Sequence, residues 1–152
     1  LSATRNIGIR NAKGEYIYFL DSDDYIDTNS METCYKKAKE YGLDIITFDA
    51  EVFMDKEYSG YGFNESYDRD KIIESECIKR EDFFHKYSTT EGYKQSVMLN
   101  FYKKDFITQN GLFFYAGIIG EDELHSFQAF LLAQRVYIYL KNYFLEELEI
   151  IL

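Results

Sequence analysis

Residues 16–25 have the sequence Y-I-Y-F-L-D-S-D-D-Y, an apolar run that leads directly into a group of acids. Its first half is an unbroken run of aromatic, β-branched and aliphatic side chains, which predicts a strand covered on both faces, as in a parallel sheet. Three carboxylates follow, at Asp21, Asp23 and Asp24. They would lie at the carboxyl edge of the sheet, where open α/β folds bind their ligands.

Asp21 and Asp23 are separated only by Ser22, so a bend there can turn both carboxylates toward one hard cation. Magnesium takes one or two protein carboxylates and completes its coordination with substrate phosphates and water. The spacing therefore suggests a metal–phosphate site. Asp and Ser also favour turns for purely conformational reasons, and spacing alone leaves both interpretations open.

Composition limits the class of protein. A chain of 152 residues with a net charge of −10 has room for one domain, and its charge argues against a nucleic-acid-binding surface. Cys34 and Cys77 are too few and too far apart for a disulfide framework or a zinc site, so we expect two core thiols in a reducing cytoplasm. Neither a membrane-spanning apolar run nor a signal peptide is found.

The N-terminal third alternates between helix and strand patterns. We expect a helix capped by Ser2 and ended by Gly14, then the strand, then a second helix capped by Asn29 or Thr28 and ended by Gly42. A second strand should cover residues 44–53. Such a series is typical of an α/β fold with a mostly parallel sheet flanked by helices.

The remaining pattern is less regular. Residues 56–70 and 88–94 predict loops, with short amphipathic pieces at 71–78 and 81–87. Strands are expected at 96–102 and 113–115, and helices at 104–109 and from Leu124 onward. Residues 137–152 form an apolar and acidic tail to which no structure is assigned.

A second acidic cluster, Glu121, Asp122 and Glu123, lies between a glycine-flanked turn and the last predicted helix. Acids are favoured in a first helical turn by the helix dipole, which is one explanation for them. The other is a general base that takes a proton from a reacting hydroxyl. One carboxylate group holding a metal–diphosphate and another deprotonating an alcohol would suit glycosyl or phosphoryl transfer.

Residues 1–8, L-S-A-T-R-N-I-G, and residues 13–24, K-G-E-Y-I-Y-F-L-D-S-D-D, resemble the central signature of the family 2 glycosyltransferases. In that family an S-A-x-R-N-x-G helix precedes a G-E-Y-I-x-F-L-D-x-D-D strand and turn. Gly120-Glu121-Asp122-Glu123, followed by Phe127, resembles the family's E-D motif. The resemblance implies a GT-A (Rossmann-like) fold and transfer from a nucleotide-diphosphate sugar, such as a UDP-sugar, to a saccharide or lipid-linked acceptor in surface polysaccharide synthesis.

The resemblance also implies roles for individual residues. Asp21 and Asp23 match the acids that hold Mg²⁺ or Mn²⁺ on the donor diphosphate, with Asp23 the more direct ligand. Asp122 matches the base that deprotonates the acceptor, with Glu121 beside it. Arg5 matches an arginine near the donor, although a surface ion pair is an alternative. The implied mechanism is a single displacement with inversion. For His125, we expect packing or solvation rather than a role in the site.

The chain departs from the family pattern at its start. Family members begin with a strand and a V-D-D-G-S segment that bind the nucleotide, and this sequence has neither. We therefore expect residues 1–152 to be a single domain that forms the C-terminal portion of a GT-A catalytic domain and has little activity alone. Exposed sheet edges would then favour self-association. The Q-x-x-R-W motif of processive synthases is also missing.

Two other functions were weighed. A haloacid-dehalogenase-type phosphatase needs Thr or Val two residues after its second Asp, and Tyr25 stands there, so this class is rejected. A catalytically incomplete carbohydrate-binding or assembly module is the remaining alternative. A lipid-linked acceptor would place the protein at the inner face of the membrane, although no basic amphipathic helix requires it.

Overall fold

The computed structural model describes residues 1–54, 76–87 and 93–148. Its helices are α1 (Ser2–Asn11), α2 (Ser30–Tyr41), α3 (Arg80–Tyr87), α4 (Lys104–Gln109) and α5 (Glu121–Leu132), with a short 3₁₀ turn at Val97–Leu99. Its strands are β1 (Tyr16–Tyr18), β2 (Asp24–Ile26), β3 (Ile45–Met54), β4 (Glu76–Lys79), β5 (Asn100–Lys103) and β6 (Arg135–Leu148). The α/β class is therefore as predicted.

The strands form one mixed sheet in the order β1-β5-β3-β6-β2, and β4 also pairs with β6. Only the β3–β6 pair is parallel among the described pairings, so the prediction of a mostly parallel sheet is wrong. β1 and β3 do run in the same direction, as the helix–strand alternation indicates. They are not neighbours, however, because β5 lies between them and is antiparallel to both.

The unassigned tail contributes the most extensively paired strand. Strand β6 pairs with β3 from Val136 opposite Ile45 to Leu148 opposite Met54, with irregular register around Asp49. It also pairs with β2 and β4. Acidic residues interrupt the apolar pattern of this segment, and its partners are distant in sequence, so local patterning does not indicate a strand.

The helix boundaries differ from prediction where tertiary contacts take over. Leu1, not Ser2, is the N-cap of α1, because the Ser2 hydroxyl donates to the Tyr115 carbonyl at 3.2 Å. Gly14 does not adopt the left-handed conformation expected of it, since α1 ends at Asn11 with Ala12 as C-cap. Gly42 does end α2 in that conformation, with φ of 60°.

The later elements also show mixed outcomes. Helix α4 and strand β3 lie where they were predicted, whereas residues 113–115 are not a strand. The strand expected at 96–102 is divided into the 3₁₀ turn and β5, and α5 begins at Glu121 instead of Leu124. The expected loop at 56–70 lies outside the described residues. The piece expected at 71–78 is described only from Glu76, where it forms β4.

The core covers both faces of the sheet. Adjacent residues of β3 point to opposite faces: Ile45 packs into a cluster with residues from α1, α3, α4 and α5, whereas Ile46 packs against α2. Cys34 is buried in the second cluster, and burial raises the pKa of its thiol to about 12. Cys77 is exposed and is not the core residue that was expected. None of the described helices is long and apolar enough to cross a membrane.

Candidate active site

Arg5 connects the two acidic clusters. Its Nη2 lies 3.5 Å from Asp21 Oδ1, and its Nη1 lies 3.5 Å from Glu121 Oε1. The arginine side chain is only 9% exposed, so this is not an ion pair on the helix surface. At these distances the attraction is mainly electrostatic, because strong charge-assisted hydrogen bonds are about 2.7–2.9 Å long. Helix α1 thus brings together the turn after β1 and the start of α5.

The acidic turn is held between two strands of the sheet. The Asp24 backbone N–H donates to the Asp21 carbonyl at 3.3 Å, and Asp24 begins β2, which pairs with β6. The Asp24 carboxylate has one buried oxygen without a hydrogen-bond partner among the described residues. Burial, together with the negative charges of Asp23 and Asp21, raises its pKa to about 6.

Three carboxylates within four residues concentrate negative charge at the turn, which is where a cation would be favoured. Asp21 is partly neutralised by Arg5, whereas exposed Asp23 makes no ion pair with any described residue. The described ranges contain no group of three or more Asp, Glu, His or Cys side chains that could hold a metal without other ligands. Two carboxylates nevertheless suit Mg²⁺ or Mn²⁺ if phosphate and water supply the other ligands. Asp24 was not predicted as part of this site, although it is adjacent to Asp23.

Glu121, Asp122 and Glu123 form the first turn of α5, after Gly120, which has φ of 78°. They therefore lie at the positive end of the helix dipole, as expected for acids in any first turn. Glu121 pairs with Arg5, but Asp122 makes no ion pair or hydrogen bond with the residues that the structure describes. Asp122 is partly exposed, so solvent reaches this residue.

His125 lies one turn into α5 and is 1% exposed. Its pKa is lowered to about 4, mainly by burial; the nearby Leu112 backbone opposes this lowering, and the Arg5 charge adds a smaller lowering. Neither ring nitrogen has a partner with hydrogen-bonding geometry in the described ranges. The histidine is therefore packed in the core, as expected, and it lies beside the ring of Phe114.

A glycine-flanked apolar loop adjoins the start of α5. Tyr115 is 67% exposed and Ile119 is fully exposed, and Gly117 and Gly120 both have positive φ. This loop places apolar surface within a few residues of Asp122. The sequence pattern predicts only a glycine-flanked turn here, because the exposure of an aromatic side chain cannot be predicted from its type.

The family model described as glycosyl transferase family 2 matches residues 1–117. This chain belongs to glycosyl transferase family 2. The matched part contains Arg5 and the acidic turn with Asp21 and Asp23, but it ends before Glu121 and Asp122.

Relatives and solved structures agree with this membership. The chain is 35% identical to Glycosyltransferase GlyA of Streptococcus pneumoniae over 148 residues, which cover 93% of this chain and 20% of that protein. The crystal structure of Staphylococcus aureus TarS 1–349 has the same fold, with a TM-score of 0.73 at 21% identity, over 96% of this chain and 40% of that one. A second structure of that protein, with UDP-GlcNAc, matches equally well at a TM-score of 0.73 and covers 97% of this chain and 38% of its own. The chain thus spans a fifth of the length of GlyA and about two fifths of the crystallised TarS chain.

Proposed function

We propose that this chain carries the metal-binding and acceptor-activating side of an inverting, metal-dependent glycosyltransferase. Residues 1–152 would form the C-terminal portion of a GT-A catalytic domain that transfers a sugar from a nucleotide-diphosphate donor to an acceptor hydroxyl. The observation that carries the proposal is the double ion pair of Arg5 with Asp21 and Glu121. These ion pairs bring the two acidic clusters, which are distant in sequence, to the two terminal nitrogens of the Arg5 guanidinium.

The pairing of Arg5 also divides the acids by role. In each cluster one carboxylate is engaged by the arginine, Asp21 or Glu121, and a neighbouring one is left available, Asp23 or Asp122. We therefore assign Asp23 as the more direct ligand of Mg²⁺ or Mn²⁺, with Asp21 beside it. Asp122 is the base, and Glu121 keeps the first turn of α5 in place.

In this mechanism a carboxylate oxygen of Asp122 accepts the proton of the acceptor hydroxyl. The acceptor oxygen then attacks the anomeric carbon, and the bond between that carbon and the diphosphate oxygen breaks, so the configuration inverts. A bound divalent cation supplies charge stabilisation for the departing diphosphate. Arg5 offers a second positive charge close to the same turn and is itself held by two carboxylates.

The donor and acceptor are proposed from related proteins. TarS, whose fold this chain shares, has been crystallised with UDP-GlcNAc, which supports a UDP-sugar donor here. Two related S. aureus enzymes are named poly(ribitol-phosphate) β-N-acetylglucosaminyltransferases, which supports a role in a surface polymer. The acceptor would be a saccharide or a lipid-linked saccharide, used in the cytoplasm or at the inner face of the membrane.

Self-association remains part of the proposal. Strand β1 lies at one end of the described sheet and pairs with β5 alone among the described strands. Its other edge is thus available for pairing with a further strand, such as that of a second copy. Sedimentation velocity over a range of concentrations would test this, since a monomer at every concentration would contradict it.

Binding of UDP in the presence of Mn²⁺ tests the function. We expect calorimetry on a catalytic domain that includes the nucleotide-binding strands to detect Mn²⁺-dependent UDP binding that falls at least about tenfold, or about 1.4 kcal/mol, in Asp23→Asn. The matched control is Asp105→Asn, which removes one charge from an exposed aspartate of α4. Equal losses in both variants, or binding that needs no metal, would contradict the proposal.

The alternative of a carbohydrate-binding module has one observation in its favour, the exposed Tyr115 ring in the loop that precedes α5. Aromatic faces pack well against sugar rings because each has an apolar surface. Metal-independent saccharide binding that is lost in Tyr115→Ala and retained in Asp23→Asn would favour this alternative over transfer.

A further inference from the structure

A pair of stacked rings lies against Arg5. The Phe114 and His125 rings are parallel to within 6°, and their centroids are 4.1 Å apart. The Arg5 guanidinium carbon lies 5.2 Å from the centroid of Phe114. Both rings are at most 3% exposed. The cation that bridges the two acidic clusters is therefore supported by a buried aromatic surface, where cation–π attraction is stronger than in water.

Phe114 is itself fixed to α1. The Asn6 side chain donates to the Phe114 carbonyl at 2.8 Å and accepts from the Phe114 N–H at 2.8 Å. Asn6 follows Arg5 directly, so the same helical turn holds both the guanidinium and the ring beneath it. These two bonds also satisfy the backbone of a segment that forms no strand.

The same ring cluster contains residues from both acidic segments. Phe19, two residues before Asp21, packs edge-on against Phe114 with centroids 5.2 Å apart and against His125 at 6.2 Å. His125 lies four residues after Glu121, on the same face of α5. Arg5 contacts the Phe114 ring directly. The two acids that Arg5 pairs with each have a ring of this cluster in their own segment, Phe19 near Asp21 and His125 near Glu121.

A histidine is an unusual choice for this position. Its two nitrogens are buried without hydrogen-bond partners in the described part of the chain, which costs free energy that an aliphatic side chain would not. What an aliphatic side chain lacks is a flat face that can stack against Phe114. The stacking geometry, not burial alone, therefore accounts for an aromatic ring at position 125.

We propose that Phe114 and His125 are positioning residues that fix the Arg5 guanidinium so that it holds the acidic turn and α5 together. The importance of this for catalysis rests on the proposed function. The positioning itself does not, so the two ideas can be tested separately.

The first test is the NMR signal of the Arg5 Nε–H group, assigned with Arg5→Lys, because a ring close to a guanidinium displaces its chemical shift. We expect His125→Leu to move this signal toward the position of a solvent-exposed arginine and His125→Phe, which keeps a flat ring, to leave it near its original position. An unchanged signal in His125→Leu would overturn the proposal. If His125→Leu does not fold, His125→Met fills a similar volume with a flexible side chain and carries the same expectation.

Phe83→Leu provides a matched control. Phe83 forms a comparable buried stack with Phe130, with centroids 4.6 Å apart and planes within 10°, on the α3 side of the core. We expect Phe83→Leu to lower stability as His125→Leu does, but not to move the Arg5 signal. Movement of that signal by the same amount in both variants would indicate general loosening and would overturn the proposal.

The second test is Mn²⁺-dependent UDP binding. We expect about tenfold weaker binding in His125→Leu, little change in Phe83→Leu, and recovery in His125→Phe. Weaker binding in Phe83→Leu equal to that in His125→Leu would overturn the positioning role. Absence of UDP binding in the unmodified catalytic domain with its nucleotide-binding strands would instead refute the proposed function, while the Arg5 signal would still decide whether the rings position the guanidinium.

Discussion

Acidification should destabilise this fold through His125. The buried ring has a pKa of about 4 in place of its ordinary 6.5, mainly because burial disfavours its charged form. Below pH 6.5 the unfolded chain binds a proton at this ring, while the folded chain does not until about pH 4. The free energy of unfolding therefore falls as the pH drops through this interval. Outside the interval the contribution of His125 to that free energy does not change with pH.

The size of the effect follows from the two pKa values. A change from 6.5 to about 4 corresponds to a loss of about 3 kcal/mol once the pH is well below 4, and to about 2–3 kcal/mol near pH 4.5. Asp24 acts in the opposite direction, because its raised pKa makes the folded chain bind a proton first as the pH falls. A single pH profile therefore mixes the two contributions.

Comparison with His125→Phe separates them, since that variant keeps a ring and Asp24 but cannot bind the proton. We expect the difference in unfolding free energy between the variant and the unmodified chain to grow by about 2–3 kcal/mol between pH 7.5 and pH 4.5. Urea unfolding followed by circular dichroism measures it, because the chain has no Trp. His85→Gln, which alters an exposed histidine, is the control. A difference that does not change with pH would show that His125 binds its proton equally well in the folded and unfolded chains.

Three further predictions concern Arg5, its neighbour and the thiols. Arg5→Lys should weaken Mn²⁺-dependent UDP binding about tenfold by calorimetry, because a single ammonium cannot reproduce the two-sided contact of the guanidinium; unchanged affinity would contradict this. Asn6→Ala should lower the unfolding free energy by about 1–3 kcal/mol in urea, since two buried backbone groups of Phe114 lose their partner, and a loss under about 0.5 kcal/mol would be inconsistent with it. A thiol reagent should modify exposed Cys77 and not buried Cys34 in the folded chain, and rapid reaction of both would show that the core opens.

The parts of the fold that sequence predicts well are those set by local chemistry. Helix α2 ends at Gly42 because glycine adopts the left-handed conformation without strain, and β3 follows as a strand that is mostly apolar, β-branched and aromatic. The order of the strands in the sheet could not be predicted from local chemistry. The insertion of β5 between β1 and β3 depends on pairing between segments far apart in the chain, as does the central position of β6.

The candidate site shows the same division. Asp21, Asp23, Glu121 and Asp122 were proposed from their motifs, and the structure places the two clusters around Arg5. That one side chain would contact both clusters follows only from the packing of α1 against the turn and α5. The raised pKa of Asp24 likewise depends on burial by the β2–β6 pairing, which the sequence pattern did not indicate.

The central claim is that both acidic clusters face one metal–nucleotide site. Paramagnetic broadening by Mn²⁺ in the presence of UDP tests this most directly, because bound Mn²⁺ broadens the amide signals of residues near it. We expect the amide signals of Ser22 and Leu124 to broaden together, Lys36 on the outer face of α2 to keep a sharp signal, and Asp23→Asn to abolish the effect. Broadening at Ser22 without broadening at Leu124, or broadening that persists in Asp23→Asn, would contradict it.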